Sequence, residues 1–101
     1  MGFKDVKSQV ITCLENGSYD HEIREKIDVK NLFQCGQLND DEVIELIHHT
    51  RGNEYESSPH HQASTIDVHV LKPFKNGKRW YIKFYFIEPD AMFISVHESG
   101  V

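Results

Sequence analysis

The stretch Lys78-Arg79-Trp80-Tyr81-Ile82-Lys83-Phe84-Tyr85-Phe86-Ile87-Glu88-Pro89-Asp90-Ala91-Met92-Phe93-Ile94-Ser95-Val96-His97 decides the fold. Its side chains alternate with period two, the signature of strands rather than helix. Glu88-Pro89-Asp90 interrupts the pattern as a turn, so the stretch reads as two antiparallel strands joined by a three-residue loop. Trp80, Ile82, Phe84 and Phe86 make one face wholly apolar. The other face lines up Tyr81, Lys83, Tyr85, Ser95 and His97. A small domain needs one apolar sheet face for its core, so titratable groups gathered on the second face form a candidate site.

Burial sets the expected register, because a one-residue slip sends every side chain to the opposite face. Pairing Met92, Ile94 and Val96 with the apolar set puts Lys83 opposite Ser95 and Tyr81 opposite His97. Upstream, Thr65–Lys72 also alternates, with Ile66, Val68 and Val70 on one side and Asp67, His69 and Leu71 on the other. Setting Val70 opposite Ile82 buries the β-branched row and places His69 opposite Lys83. Asn76-Gly77 is a hairpin signal. That register does not fit a plain two-residue loop there, so a bulge or wider loop is expected near Pro73–Phe74.

The first half has helical period. Phe3, Val6, Val10, Cys13 and Leu14 recur at three- and four-residue spacing, with Asn16-Gly17 as the stop. Asp20 to about Phe33 reads as a less regular helix with Ile23, Ile27 and Leu32 as its apolar contacts. Asn39 and Glu42 form a capping box for a helix carrying Val43, Ile44, Leu46 and Ile47, closed by Arg51-Gly52. Asn53–Ser58 reads as a short strand and Pro59–Ala63 as loop. The expectation is one α+β domain over residues 1–101, with N-terminal helices packed on one face of a small, mainly antiparallel C-terminal sheet.

Composition narrows the function. The chain has 101 residues, 11 Lys and Arg against 16 Asp and Glu, and a net charge of −5. Residues 1–50 hold ten acids and five bases, and residues 51–101 hold six of each. Bulk charge therefore argues against a general polyanion binder, while Lys72, Lys75, Lys78 and Arg79 form a local basic cluster that can meet RNA. No apolar run reaches the roughly 20 residues of a membrane span. The start, Met-Gly-Phe-Lys-Asp-Val, lacks a signal-peptide layout. A cytoplasmic protein with reduced Cys13 and Cys35 is expected. Phosphate-cradling glycine loops, a nucleophile elbow and a dinucleotide fingerprint are absent. His48-His49 and His60-His61 have no acidic or thiol partners at ligand spacing, so neither metal nor cofactor is expected.

The polar sheet face suits one chemistry by residue type. RNA cleavage without metal needs a base for the 2′-hydroxyl, an acid for the departing 5′-oxygen and a cation for the phosphate charge. His97 and His69 suit the proton roles, Lys83 the third, and Tyr81 can orient the phosphate or stack on a base. Tyr55 and Tyr85 are further RNA-facing aromatics. The bland alternative is a solvated face whose Tyr and Lys are ordinary cross-strand partners.

The order Glu54-Tyr55-Glu56-Ser57, Thr65-Ile66-Asp67-Val68, Trp80-Tyr81-Ile82-Lys83 and Ile94-Ser95-Val96-His97 resembles the MqsR family of toxins, within the RelE-like group of bacterial messenger-RNA endonucleases. The resemblance covers about residues 38–98 well and the first helix loosely. It implies a RelE-like fold, a metal-independent endoribonuclease activity on messenger RNA, free or on the ribosome, and an antitoxin as protein partner. Tyr81 stands where the family has a functional Tyr. His97 stands at the family's C-terminal Lys and resembles the acid of other RelE-like toxins. Tyr55 stands in the family's aromatic-Tyr-Lys-Ser segment, but its Lys is here Glu56, and the functional Gln of the next strand is here Val68. An anion in place of a cation weakens RNA binding. A second reading follows: a non-catalytic binding module on the same scaffold, immunity- or antitoxin-like, whose acidic first half suits a basic protein partner. A third is a homodimer through Tyr85 and Phe93.

Overall fold

The computed structural model describes residues 2–22, 33, 36–60 and 63–99. Helix α1 spans Phe3–Asn16. It ends where Gly17 turns left-handed (φ 72°) and Ser18 N–H bonds the Cys13 carbonyl at 2.8 Å, a closure that favours glycine because it lacks a Cβ. Helix α2 spans Asp40–His49. Its capping box forms as expected: Asn39 accepts from Glu42 N–H at 2.8 Å, and Glu42 Oε1 accepts from Asn39 N–H at 3.1 Å. The helix stops at His49, before Arg51, because Thr50 turns extended and its hydroxyl donates back to the Leu46 carbonyl at 3.1 Å.

The strands are β1 (Tyr19–His21), β2 (Tyr55–His60), β3 (Ala63–Leu71), β4 (Phe74–Lys75), β5 (Lys78–Ile87) and β6 (Asp90–Glu98). The sheet runs β1-β6-β5-β3-β2, with β4 paired to β5. Among the described strands only β1 on β6 is parallel; the other pairs are antiparallel. Both described helices contribute to a core against one face of this sheet, so the α+β class and the layer order are as expected. The helical reading from Asp20 begins with a correction, since Tyr19–His21 is a strand. Phe33 is a buried turn residue, and residues 23–32, 34 and 35, with Ile23, Ile27, Leu32 and Cys35, lie outside the described residues. Likewise β2 continues to His60, where a loop is expected from Pro59. Among the described residues no helix is long and apolar enough to cross a membrane.

The core joins Val6, Val10, Cys13 and Leu14 of α1 and Val43, Leu46 and Ile47 of α2 to Leu71, Ile82, Phe84, Ala91, Phe93 and Val96 of the sheet. Phe84 and Phe93 are fully buried with ring centroids 5.7 Å apart. Truncating either to Ala is a change that typically costs about 3–5 kcal/mol.

Two register findings decide which residues reach the other face. Between β5 and β6, Tyr81 pairs with His97 and Lys83 with Ser95, as expected. Ile94 is then skipped as a bulge, and Phe84 pairs with Phe93, Tyr85 with Met92 and Ile87 with Asp90. Beyond the bulge, therefore, Ala91 and Phe93 face the helices, not Met92 and Ile94. The closing loop shortens to Glu88-Pro89, whose peptide bond is cis.

The second finding concerns β3. Asn76 (φ 55°) and Gly77 (φ 77°) both take the left-handed conformation of a plain two-residue turn. Lys75 pairs with Lys78, Phe74 with Arg79, Leu71 with Ile82, Val70 with Lys83 and His69 with Phe84. The expected bulge near Pro73–Phe74 is absent, and β3 sits one residue away from the register that burial alone suggests. Leu71 and His69 turn toward the helices. Val68 and Val70 turn to the outer face, although they too are buried.

Candidate functional site

The face away from the helices is built on alternate residues of β5. Tyr81, Lys83 and Tyr85 stand in a row, flanked on β6 by His97, Ser95 and Met92 and on β3 by Val70 and Val68. Directly opposed residues on a sheet have Cβ atoms about 4.5–5.5 Å apart. Tyr81 and His97 use that proximity: their rings stack with centroids 5.3 Å apart and planes 20° apart. His97 Nδ1 lies 2.7 Å from the Glu98 carbonyl oxygen. A carbonyl only accepts, so Nδ1 carries the proton and Nε2 is left as the basic nitrogen of the neutral ring. Among the described residues no carboxylate forms an ion pair with Lys83. Tyr81, Lys83 and His97 are all half-exposed.

His69, expected as a base on this face, lies on the opposite one. It is 5% exposed, packed against Phe84 and Phe86 with centroids 5.6 and 5.5 Å away. Its Nδ1 is 2.9 Å from the Tyr55 hydroxyl. Burial pushes the imidazole below its ordinary pKa, with the nearby Asp67 opposing. Tyr55, expected to face RNA, is held in the same place, its ring 5.3 Å from Phe3 of α1. The two residues tie β2, β3 and α1 together and do not join the Lys83 face. The physical reason is the two-residue Asn76-Gly77 turn, which sets β3 by backbone geometry where both sides of the strand offer apolar residues.

The basic cluster is also placed differently from its sequence reading. Each of its cations meets a glutamate: Lys72 with Glu56 at 3.0 Å, Lys75 with Glu45 at 3.5 Å, Lys78 with Glu98 at 3.0 Å and Arg79 with Glu54 at 2.8 Å. Arg79 also donates to the Lys72 carbonyl at 2.7 Å, and its guanidinium lies 5.2 Å from the ring of Phe74, which is 53% exposed. A patch that looks cationic in sequence is thus neutralised pair by pair.

His60, expected in a loop, stands on this face as the last residue of β2. His60 is 6% exposed, sets its ring edge-on to Tyr85 at 5.1 Å and places Nε2 3.8 Å from Glu22 Oε2. Its neighbour Pro59 reads as a loop marker, and no pattern in the chain announces that β2 runs on to bring this ring over Tyr85. Among the described residues, no three His, Cys, Asp or Glu side chains gather as a metal would require. The chain matches no protein-family model, and no curated protein sequence matches it.

Proposed function

We propose that the chain is a divergent MqsR-like or RelE-like toxin of a bacterial toxin–antitoxin system, a metal-independent endoribonuclease acting on messenger RNA and restrained by a protein partner. The observation that carries this reading is the Tyr81–His97 stack beside Lys83 on the sheet face turned away from the helices. In the reaction, the 2′-oxygen bonds to the adjacent phosphorus and the bond from phosphorus to the 5′-oxygen breaks. Protonated His97 donates from Nε2 to the departing oxygen, while the 2′-hydroxyl proton passes to water. The Lys83 ammonium offsets the charge that builds on the phosphoryl oxygens, and the Tyr81 hydroxyl orients them. His69 has no part in this scheme. The test is incubation of the purified protein with end-labelled RNA at neutral pH in a chelator. Cleavage is expected, with loss in His97→Ala and retention in a folded His69→Leu variant. Intact RNA with the wild-type protein, together with harmless expression in bacteria, rejects the reading.

The paired rim favours the second reading, a non-catalytic module that binds a basic protein. Glu54, Glu56 and Glu98 already hold the nearby cations, and the chain's net charge is −5. Surface acids of this kind steer basic partners. Intact RNA together with protection of cells against a basic toxin encoded alongside this chain is the outcome that selects it.

A further inference from the structure

We propose that the cavity between α2 and the β4–β5 hairpin is a binding site for a small aromatic acid, a single ring bearing one carboxylate. It lies on the helix side of the sheet, so it stands apart from the Tyr81–Lys83 row and from the nuclease reading. The turn and the helix build it. Asn76 and Gly77 fold β4 back on β5, and Lys75 and Lys78 then stand directly opposite each other. Trp80 follows Lys78 by two residues and shares its side of β5. Across from them, Glu42 and Leu46 stand one turn apart on the same face of α2. Leu38 enters from just before the helix cap. The space between these residues is about 190 Å³. A cavity of about 150 Å³ takes one benzene ring, whereas drug-sized ligands need about 300–1,000 Å³. One ring with a short acidic arm therefore fits, and a drug-sized ligand does not.

The floor is apolar. Leu46 is 4% exposed, and Leu38 and the Trp80 indole are half-buried around it. A ring seated there packs on the indole offset or edge-on, as aromatic pairs prefer. The rim is cationic. Among the described residues lining the cavity, two ammonium groups face one carboxylate, in a chain whose net charge is −5. That carboxylate, Glu42, is engaged: its Oε1 accepts from Asn39 N–H at 3.1 Å, which keeps it with the helix cap. Like charges directly opposite on a sheet are destabilising. Glu45 and Glu98, which offset Lys75 and Lys78, are not among the lining residues. At 3.5 Å the Lys75–Glu45 pair is the longest of the four cation–glutamate pairs described above, and Glu45 is 56% exposed. A ligand carboxylate between the two lysines answers the repulsion that these partners leave, and it draws on Lys75 where the present pair is longest.

Trp80 is the one tryptophan of the chain, so its emission reports on the cavity directly. Titration of the full chain with phenylacetate at neutral pH is expected to change this emission saturably. The dissociation constant should be about 0.2–6 mM, a modest efficiency for a ligand of about ten heavy atoms. Phenylacetamide, its neutral isostere, should bind about 3- to 10-fold more weakly. Acetate, which lacks the ring, and benzylamine, which reverses the charge, should show no saturation over the same range. Lys75→Gln should weaken phenylacetate by a similar factor and leave phenylacetamide unchanged, a split that a merely structural lysine would not produce. Amide shifts in nitrogen–proton correlation spectra should centre on Leu38, Glu42, Leu46 and Asn76, which locates the ligand without any variant. A linear, unsaturating quench by phenylacetate, equal affinity for phenylacetamide, saturable binding of benzylamine, unaltered phenylacetate affinity in Lys75→Gln, or shifts centred elsewhere overturns the site.

Discussion

Replacing His69 tests the register of β3 directly, because one register makes it a structural residue and the other a working one. His69 is 5% exposed, wedged between Phe84 and Phe86, with its Nδ1 on the Tyr55 hydroxyl. His69→Ala removes a buried ring and strands a hydroxyl, so a loss of about 2–4 kcal/mol is expected from cavity and hydrogen-bond terms. Domains of this size are stable by about 5–15 kcal/mol, so the variant should still fold, with a markedly lower urea midpoint and an unchanged denaturant slope. Tyr55→Phe should lose about 0.5–1.5 kcal/mol. The double variant should lose less than the sum, because the two residues share one bond. The same pair gives a pH signature. Burial lowers the folded-state pKa of His69, so below its ordinary value of about 6.5 the unfolded chain takes up a proton that the folded chain refuses. Stability is full above about pH 6.5 and falls as pH drops toward the folded-state value. His21, lowered by its own burial, adds to the same slope, so the part due to His69 is the part that His69→Leu abolishes. Urea titrations of the five proteins, wild type, His69→Ala, Tyr55→Phe, their double variant and His69→Leu, at pH 5 and pH 7.5 measure all of this. A His69→Ala variant within 0.5 kcal/mol of wild type, or strict additivity with Tyr55→Phe, refutes the observed register.

Three further outcomes follow from other contacts. His97→Ala, at a half-exposed position, should change stability by less than about 0.5 kcal/mol while removing any RNA cleavage, a split read by melting and gel assay. Asn39→Ala removes the side-chain bond to Glu42 N–H and should cost about 1 kcal/mol in denaturant titration. Glu56→Gln frees Lys72 from an exposed pair worth under about 1 kcal/mol, so stability should hardly move, while the salt slope of RNA binding should steepen by about 0.7.

The ends of α1 and α2 and the presence of a turn at Asn76-Gly77 were the legible part of this chain. The Asn39–Glu42 capping box, the Gly17 stop and the Asn76-Gly77 turn each rest on a local rule that needs no knowledge of the rest of the fold. The Tyr81–His97 and Lys83–Ser95 pairs were legible too, since Val96 and Ile82 admit only one burial choice. The bulge at Ile94 was not, because Met92, Phe93 and Ile94 are all apolar and a skipped residue leaves no mark on such a run. In β3, Val68, His69, Val70 and Leu71 are all buried, so alternation could not say which pair faces the helices. The Asn76-Gly77 turn holds that information, because its two-residue length fixes Leu71 opposite Ile82. The three-residue strand β1 is too short for any period to show, and its neighbours in the chain suggest helix instead.

The consequence for function is a division of labour between the two sheet faces that composition conceals. Seven histidines and a cluster of cations suggest a face rich in proton donors and positive charge. Placed in space, His69 and Tyr55 hold the core side together, His60 steadies Tyr85, and four cations neutralise four glutamates. Among the described residues, His97 Nε2 and the Lys83 ammonium stand on the outer face outside these pairs. A phosphate approaching this rim could displace a glutamate at little direct expense, since exposed pairs are worth under about 1 kcal/mol. Yet the displaced carboxylate stays tethered nearby and repels the same phosphate, so a paired cation counts for much less than a free one. Among the described residues, the four paired cations therefore add little to the positive charge this face offers a phosphate.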